Sequence, residues 1–206
     1  MKPSDGVSRV DEDPEKRGPN DFCLWKFAKE GEPYWETDIG NGRPGWHIED
    51  TAITETIFGP QYDIHGGAVD LMFPHHEAEI AQMEAVSGKV PFVKYWLHAG
   101  FLNMKEEKMS KSLGNIVTIR EALKANDPRV LRFMFISGHY RSTLTYDEDV
   151  LEQSRQALQR IDEFMFRLDS GYASAKEKEL VDELKAGVIA ALDNDFNTPP
   201  SLVSYI

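Results

Sequence analysis

Lys105-Glu106-Glu107-Lys108-Met109-Ser110-Lys111-Ser112-Leu113-Gly114-Asn115 is the most telling segment of this chain. Lys108 and Lys111 flank the small hydroxyl residues Ser110 and Ser112, and Gly114 follows. An apolar, strand-like run from Tyr95 to Met104 precedes the stretch, and a helical pattern follows it. A lysine loop delivered by a strand can bring two ammonium groups onto a polyphosphate. Catalysis of phosphoryl or nucleotidyl transfer is mostly positioning and neutralisation of developing negative charge. Composition alone fits a solvated lysine loop equally well, so the flanking chain has to decide.

Upstream, Tyr62-Asp63-Ile64-His65-Gly66-Gly67 reads as a short buried strand running into a glycine turn. Gly66 and Gly67 there let the backbone approach a nucleotide closely. Asp70 stands where it can hold a ribose hydroxyl or cap the next helix. That helix opens on Phe73-Pro74-His75-His76-Glu77-Ala78-Glu79, with Pro74 in its first turn. His75 and Glu79 are four apart and share a face, a spacing at which imidazole and carboxylate chelate a cation such as Zn²⁺. His76 and Glu77 point elsewhere. Solvated polar residues at a helix start remain the alternative, and the metalloprotease order His-Glu-x-x-His is absent. The helix runs to Gly88, and Phe92–Leu102 returns as a strand into the lysine loop. This β–α–β order implies a parallel sheet with a right-handed crossover and ligands at the strands' carboxyl ends.

Downstream, Thr118–Ala125 reads as a short helix. A second begins at Asp127-Pro128 with Val130, Leu131, Phe133, Met134 and Phe135 on its core side. Residues 147–168 form a long amphipathic helix carrying Leu151, Leu158, Ile161, Met165 and Leu168. Another over 175–192 carries Leu180, Leu184, Val188, Ile189 and Leu192, which suggests a helical bundle segment.

At the other end, residues 1–20 are polar and rich in Pro and Gly, a linker or arm. Cys23 is the chain's single cysteine, which excludes an internal disulfide and reads as a buried structural thiol. Pro44-Gly45 sets a turn that presents Trp46 and His47, with a helix from about Glu49 to Phe58 ended by Gly59-Pro60. The 206 residues carry a formal net charge of -12, which argues against binding nucleic acid by bulk electrostatics. No apolar run has the length of a membrane span and no signal segment opens the chain, so a cytoplasmic protein is expected.

Taken together, Asp21-Phe22-x-Leu24-Trp25-Lys26, Pro44–Glu49, Asp63–Gly67, Asp70–Glu79, Lys108–Ser112, Ser137–Ser142 and Asp195–Thr198 resemble the cysteinyl-tRNA synthetases, class I aminoacyl-tRNA synthetases. The resemblance covers nearly the whole chain. It implies an incomplete Rossmann-like nucleotide fold followed by an α-helical bundle segment. Residues 21–115 would be the second half of the catalytic domain, 116–146 a linking region, and 147–206 the start of the anticodon-binding domain. It also implies ATP with Mg²⁺, cysteine and tRNA(Cys) as partners, a monomer, and one zinc site lying partly outside this chain. By position, His75 and Glu79 correspond to zinc ligands, Trp46 and His47 to the cysteine pocket, and Lys111 with Lys108 to the ATP contacts.

Three departures stand against that pattern. Asp50 occupies the place of a family zinc-binding cysteine, and carboxylate is a harder ligand than thiolate. A second family cysteine and the His-x-Gly-His motif belong to an N-terminal half that this chain lacks. The expectation is therefore a fragment that cannot form the adenylate alone. The alternatives are a non-catalytic paralogue and a related cysteine:amino-sugar ligase.

Overall fold

The computed structural model describes residues 14, 16–18, 20–104, 107–108, 116–169 and 175–203. Most of the arm over 1–20 lies outside them, as do Lys111 and Gly114; Lys108 is described in its backbone alone. The chain divides into two compact units, Met1–His98 and Ala99–Ile206.

In the first unit, β1 (Trp25–Phe27) pairs antiparallel with β2 (Gly42–Pro44), Trp25 opposite Pro44 and Phe27 opposite Gly42. Cys23 precedes β1 and is exposed, not buried as expected; its thiol donates to the Trp25 carbonyl at 3.1 Å. Helix α1 (Trp46–Phe58) starts three residues earlier than the sequence suggests. The reason is local. Gly45 is extended and donates its N–H to Leu24 O at 2.9 Å, while its own carbonyl accepts from Ile48 and Glu49. The helix thus closes directly on the β1–β2 hairpin, and Trp46 and His47 sit in its first turn.

Strand β3 (Tyr62–Ala68) and β4 (Val93–Ala99) form a two-stranded sheet. Gly66 and Gly67 lie inside β3, not in a turn beyond it. Between the strands come a 3₁₀ turn (Val69–Leu71), the segment Met72–His76 and α2 (Glu77–Ser87). Phe73 is extended (φ -139°, ψ 132°), so the regular helix begins at Glu77 and not at Pro74. Met83, Phe92 and Val93 are the buried core, with Tyr62, Ile80 and Trp96 packed against them. Full burial of a side chain such as Phe92 contributes about 1.5–3 kcal/mol.

In the second unit, the expected single strand over 92–102 breaks at Gly100 and resumes as β5 (Leu102–Met104). Gly100 N–H donates to Tyr140 O at 2.8 Å, and a Cβ there would run into the backbone of Arg141 and Ser142, so only glycine fits. Strand β5 is central, antiparallel to β6 (Glu107–Lys108) and parallel to β7 (Leu144–Tyr146). Lys108 therefore stands opposite Asn103. Helix α3 (Ile119–Ala125) opens on a capping box between Thr118 and Glu121, and α4 (Pro128–Ile136) on Asp127. These helices and α5 (Glu148–Asp169) bury Ala122, Val130, Leu131, Met134 and Leu151 as one cluster. Phe135 and Met165, read as core, are exposed. Helices α6 (Ala175–Asp193) and α7 (Thr198–Val203) follow, with Leu180 and Ile189 of α6 exposed.

Candidate metal and substrate site

The site lies in the first unit, where α1 and the start of α2 meet. One turn of α1 presents His47 and Asp50; the segment Met72–His76 presents His75 and the first turn of α2 presents Glu79. The i, i+4 pair does share a face: His75 Nε2 is 3.0 Å from Glu79 Oε1. Asp50 Oδ2 approaches the same nitrogen at 2.7 Å. On the ring's other side, His75 Nδ1 meets His47 Nδ1 at 2.7 Å. Trp46 stacks on His75 with centroids 4.2 Å apart, yet keeps 54% of its own surface exposed, so one face is available to a ligand.

Glu79 is the anomaly. It is 1% exposed, and neither carboxylate oxygen has a hydrogen-bond partner. The 3.0 Å contact to His75 lacks hydrogen-bond alignment. A buried carboxylate without partners costs several kcal/mol if charged. Burial, and next the Asp50 charge, push its carboxyl up to about 7. The His47 imidazole is lowered by burial and then by His75. An imidazole beside an unpartnered carboxylate is a donor set for a cation. Asp50, His75 and Glu79 bring their ligand atoms within 4.8 Å of one another. All three donors are oxygen or nitrogen. Cys23 is absent from the group, being held by Trp25.

Behind this group lies an imidazole cluster that sequence reasoning missed. His76 is 2% exposed and does not point away from the site; its Nδ1 meets His98 Nε2 at 2.8 Å. His65 Nε2 stands 3.8 Å from Glu79 Oε2, and its Nδ1 is bonded to the Tyr62 hydroxyl. Trp96 stacks against His65 and His76 at centroid distances of 4.8 and 4.9 Å. Burial lowers His76 to about 4, followed by the His65 and His98 charges, and raises Tyr62 to about 12. Trp96 and His98 are two apart on β4, and strand alternation could have placed them on one face. Nothing in the sequence says which face meets β3.

Among known proteins, residues 4–156 match the family model described as tRNA synthetases class I (C) catalytic domain. The chain belongs to this class I tRNA synthetase family. A relative named Cysteine--tRNA ligase from Trichlorobacter lovleyi is 50% identical over 206 residues, covering 95% of this chain and 42% of that protein. Another of that name, from Thermoplasma acidophilum, is 52% identical over 183 residues, covering 85% of this chain and 40% of its own length. The chain thus spans about 40% of the curated relatives it matches. The LeuRS of Agrobacterium radiobacter K84, solved as a LeuRS-tRNA-LeuAMS complex, shares the fold at TM-score 0.60 and 12% identity, covering 88% of this chain and 27% of that one.

As a class I synthetase chain, it brings Trp46, His47, Asp50, His75 and Glu79 together in one unit. Gly67 lies under the His76 ring: a Cβ on it would stand 2.8 Å from His76 Cε1. Asp70 is exposed in the 3₁₀ turn and engaged by a neighbour.

Proposed function

We propose that this chain is a portion of a cysteine–tRNA ligase and carries the amino-acid side of its active site. The observation that carries the reading is the 50% identity, over 206 residues, to a relative of that name. The domain limits are then 21–115 for catalytic domain, 116–146 for the link and 147–206 for the helical anticodon-binding part, working as a cytoplasmic monomer. In the reaction the cysteine carboxylate attacks the α-phosphate of Mg²⁺-bound ATP. Pyrophosphate leaves, and the cysteinyl group passes from the adenylate to the 3′ end of tRNA(Cys).

Lys108 and Lys111 neutralise charge on the phosphates. By the resemblance, Gly66 and Asp70 would contact the nucleotide, while Gly67 makes room for the His76 ring. Trp46 and His47 wall the amino-acid pocket, one ring face of Trp46 being exposed for it. Asp50, His75 and Glu79 would hold a zinc ion; the two buried, unpartnered oxygens of Glu79 beside the His75 imidazole and the Asp50 carboxylate suit a divalent cation. When bound, the ion supplies a Lewis acid that prefers sulfur to oxygen. His47 steadies His75 through its Nδ1, and Trp46 fixes the plane of that ring.

The test is cysteine-dependent ATP–pyrophosphate exchange and tRNA charging by the gene product that carries this chain, with serine and a free amino-sugar as competitors. Charging of tRNA(Cys) with cysteine is the expected result, reduced about a hundredfold or more by Lys111→Ala. Transfer of cysteine to the amino-sugar, or no turnover of ATP, would sink the reading.

A further inference from the structure

The turn His139–Ser142 is held from two sides. On one side its backbone lies against Gly100, whose N–H donates to Tyr140 O at 2.8 Å and whose missing Cβ would run into Ser142 O. Two residues further on, Leu144 N–H donates to Phe101 O at 2.8 Å, and β7 runs parallel to β5 from there. The turn thus sets the path of Leu102–Met104. Strand β6 pairs on the other edge of β5, with Lys108 opposite Asn103.

On the other side the turn closes on Asp195. Arg141 donates Nε to Oδ2 at 2.5 Å and Nη2 to Oδ1 at 3.0 Å, and the Tyr140 hydroxyl donates to Oδ1 at 2.8 Å. His139 Nδ1 accepts the Arg141 N–H at 3.2 Å, which leaves the ring proton on Nε2, 3.8 Å from Asp195 Oδ2. The carboxylate is itself firmly placed. Asp195 and Phe196 are both left-handed (φ 57° and 52°), which is rare for an aromatic residue. Phe196 N–H donates to Leu192 O at 2.9 Å and Asn197 N–H to Ala191 O at 3.0 Å, so Asp195 rides on a turn tied to the end of α6. Thr198 Oγ1 donates to Ile136 O at 2.7 Å, joining the start of α7 to the end of α4.

The Arg141 and Asp195 side chains remain 49% and 43% exposed, so their pairing adds little stability. What a two-pronged guanidinium–carboxylate contact adds is direction. We propose that Arg141 and Asp195 are positioning residues for adenylate formation, their clasp fixing the turn that sets β5 and, through it, the pose of the lysine stretch. This role rests on the reading of the chain as part of a cysteine–tRNA ligase in which Lys108 and Lys111 act on the phosphates. Both residues act on a strand and not on a substrate. Such distant positioning matters because a shift of about 1 Å in a reacting group can cost on the order of a hundredfold in rate.

The experiment is cysteine-dependent ATP–pyrophosphate exchange by the gene product that carries this chain, with kcat and the KM values for ATP and cysteine taken separately. Asp195→Ala and Arg141→Lys are each measured alone and in a Lys111→Ala background. Asp195→Ala should lower kcat about tenfold and leave the KM for cysteine unchanged. Once Lys111 is already alanine, the same change should cost less than about twofold, because both substitutions then remove one function. Arg141→Lys keeps the charge but not the planar fork, and should follow the same pattern. Tyr140→Phe removes a single hydroxyl and should show a smaller loss with the same dependence on Lys111, which keeps the test open if Asp195→Ala fails to fold. Equal losses in both backgrounds, as a folding defect would give, overturn the positioning role. Full activity of Arg141→Lys and Asp195→Ala overturns it as well. In either case exchange by the parent protein leaves the ligase reading standing. No exchange by the parent removes that reading and the positioning role with it.

Discussion

At Gly67 the available room is measured in tenths of an ångström. A Cβ would lie 2.8 Å from His76 Cε1 and 3.1 Å from its Nε2, and His76 is wedged between Trp96 and His98. Gly67→Ala should therefore destabilise the chain by about 1–3 kcal/mol through overpacking, read as a shift in denaturant midpoint. The glycine pair was legible as a place of close approach. What approaches is a histidine of the same chain, and that depends on β3 meeting α2. Glu79→Gln tests the carboxylate itself. A neutral amide removes the cost of a buried charge, so the metal-free variant should remain folded. Its zinc affinity should fall at least tenfold, measured by competition with a chelator. The i, i+4 relation of His75 and Glu79 was readable because helix periodicity is local. His65, His76 and His98 were not, since they come from β3, the turn before α2 and β4.

Helices α3 and α4 begin where the sequence puts caps. Thr118 Oγ1 accepts from Glu121 N at 3.2 Å, and the Glu121 carboxylate accepts from Thr118 N at 2.9 Å. Thr118→Ala should cost about 0.5–2 kcal/mol, seen as a lower unfolding temperature. Helix α1 escaped its predicted start because Gly45 is tied to Leu24 O, a contact between segments twenty-one residues apart. Beyond α6, Asp195 has a left-handed backbone (φ 57°), a conformation that Asp adopts more readily than most non-glycine residues. Arg141 holds it, donating Nε to Oδ2 at 2.5 Å, and the Tyr140 hydroxyl donates to Oδ1 at 2.8 Å. These bonds, Arg141 first, lower the Asp195 carboxyl from 3.8 to about 2. A depressed acid stabilises the fold above its unfolded value, and that contribution fades as pH falls from about 4 toward 2. Acid unfolding of Asp195→Asn should lack this component, while the stability difference from the parent should be constant above pH 5. A difference that persists unchanged down to pH 2 would contradict the assignment.

For the molecule as a whole, the metal centre belongs to the unit Met1–His98 and the capped helices to Ala99–Ile206. Zinc at a hundred times its dissociation constant should stabilise the state that binds it by about 2.7 kcal/mol. Hydrogen exchange should show that protection in α1 and α2, with the amides of α3–α5 unchanged. Protection spread equally over both units would contradict a site confined to the first. Spacing along one segment was enough for α3 and α4 with their caps, for the strand–helix–strand order and for the His75–Glu79 pair. Motif order was enough for the family, being a property of the chain alone. Packing between segments is what turns His76 inward, ties Cys23 to Trp25, sets Gly67 against a histidine and buries Glu79 with two unpartnered oxygens. Burial and desolvation are set by which surfaces meet. The lysine stretch that first organised the reading says nothing of the Glu79 carboxylate; local pattern fixes what each segment is, and packing fixes what each side chain must live beside.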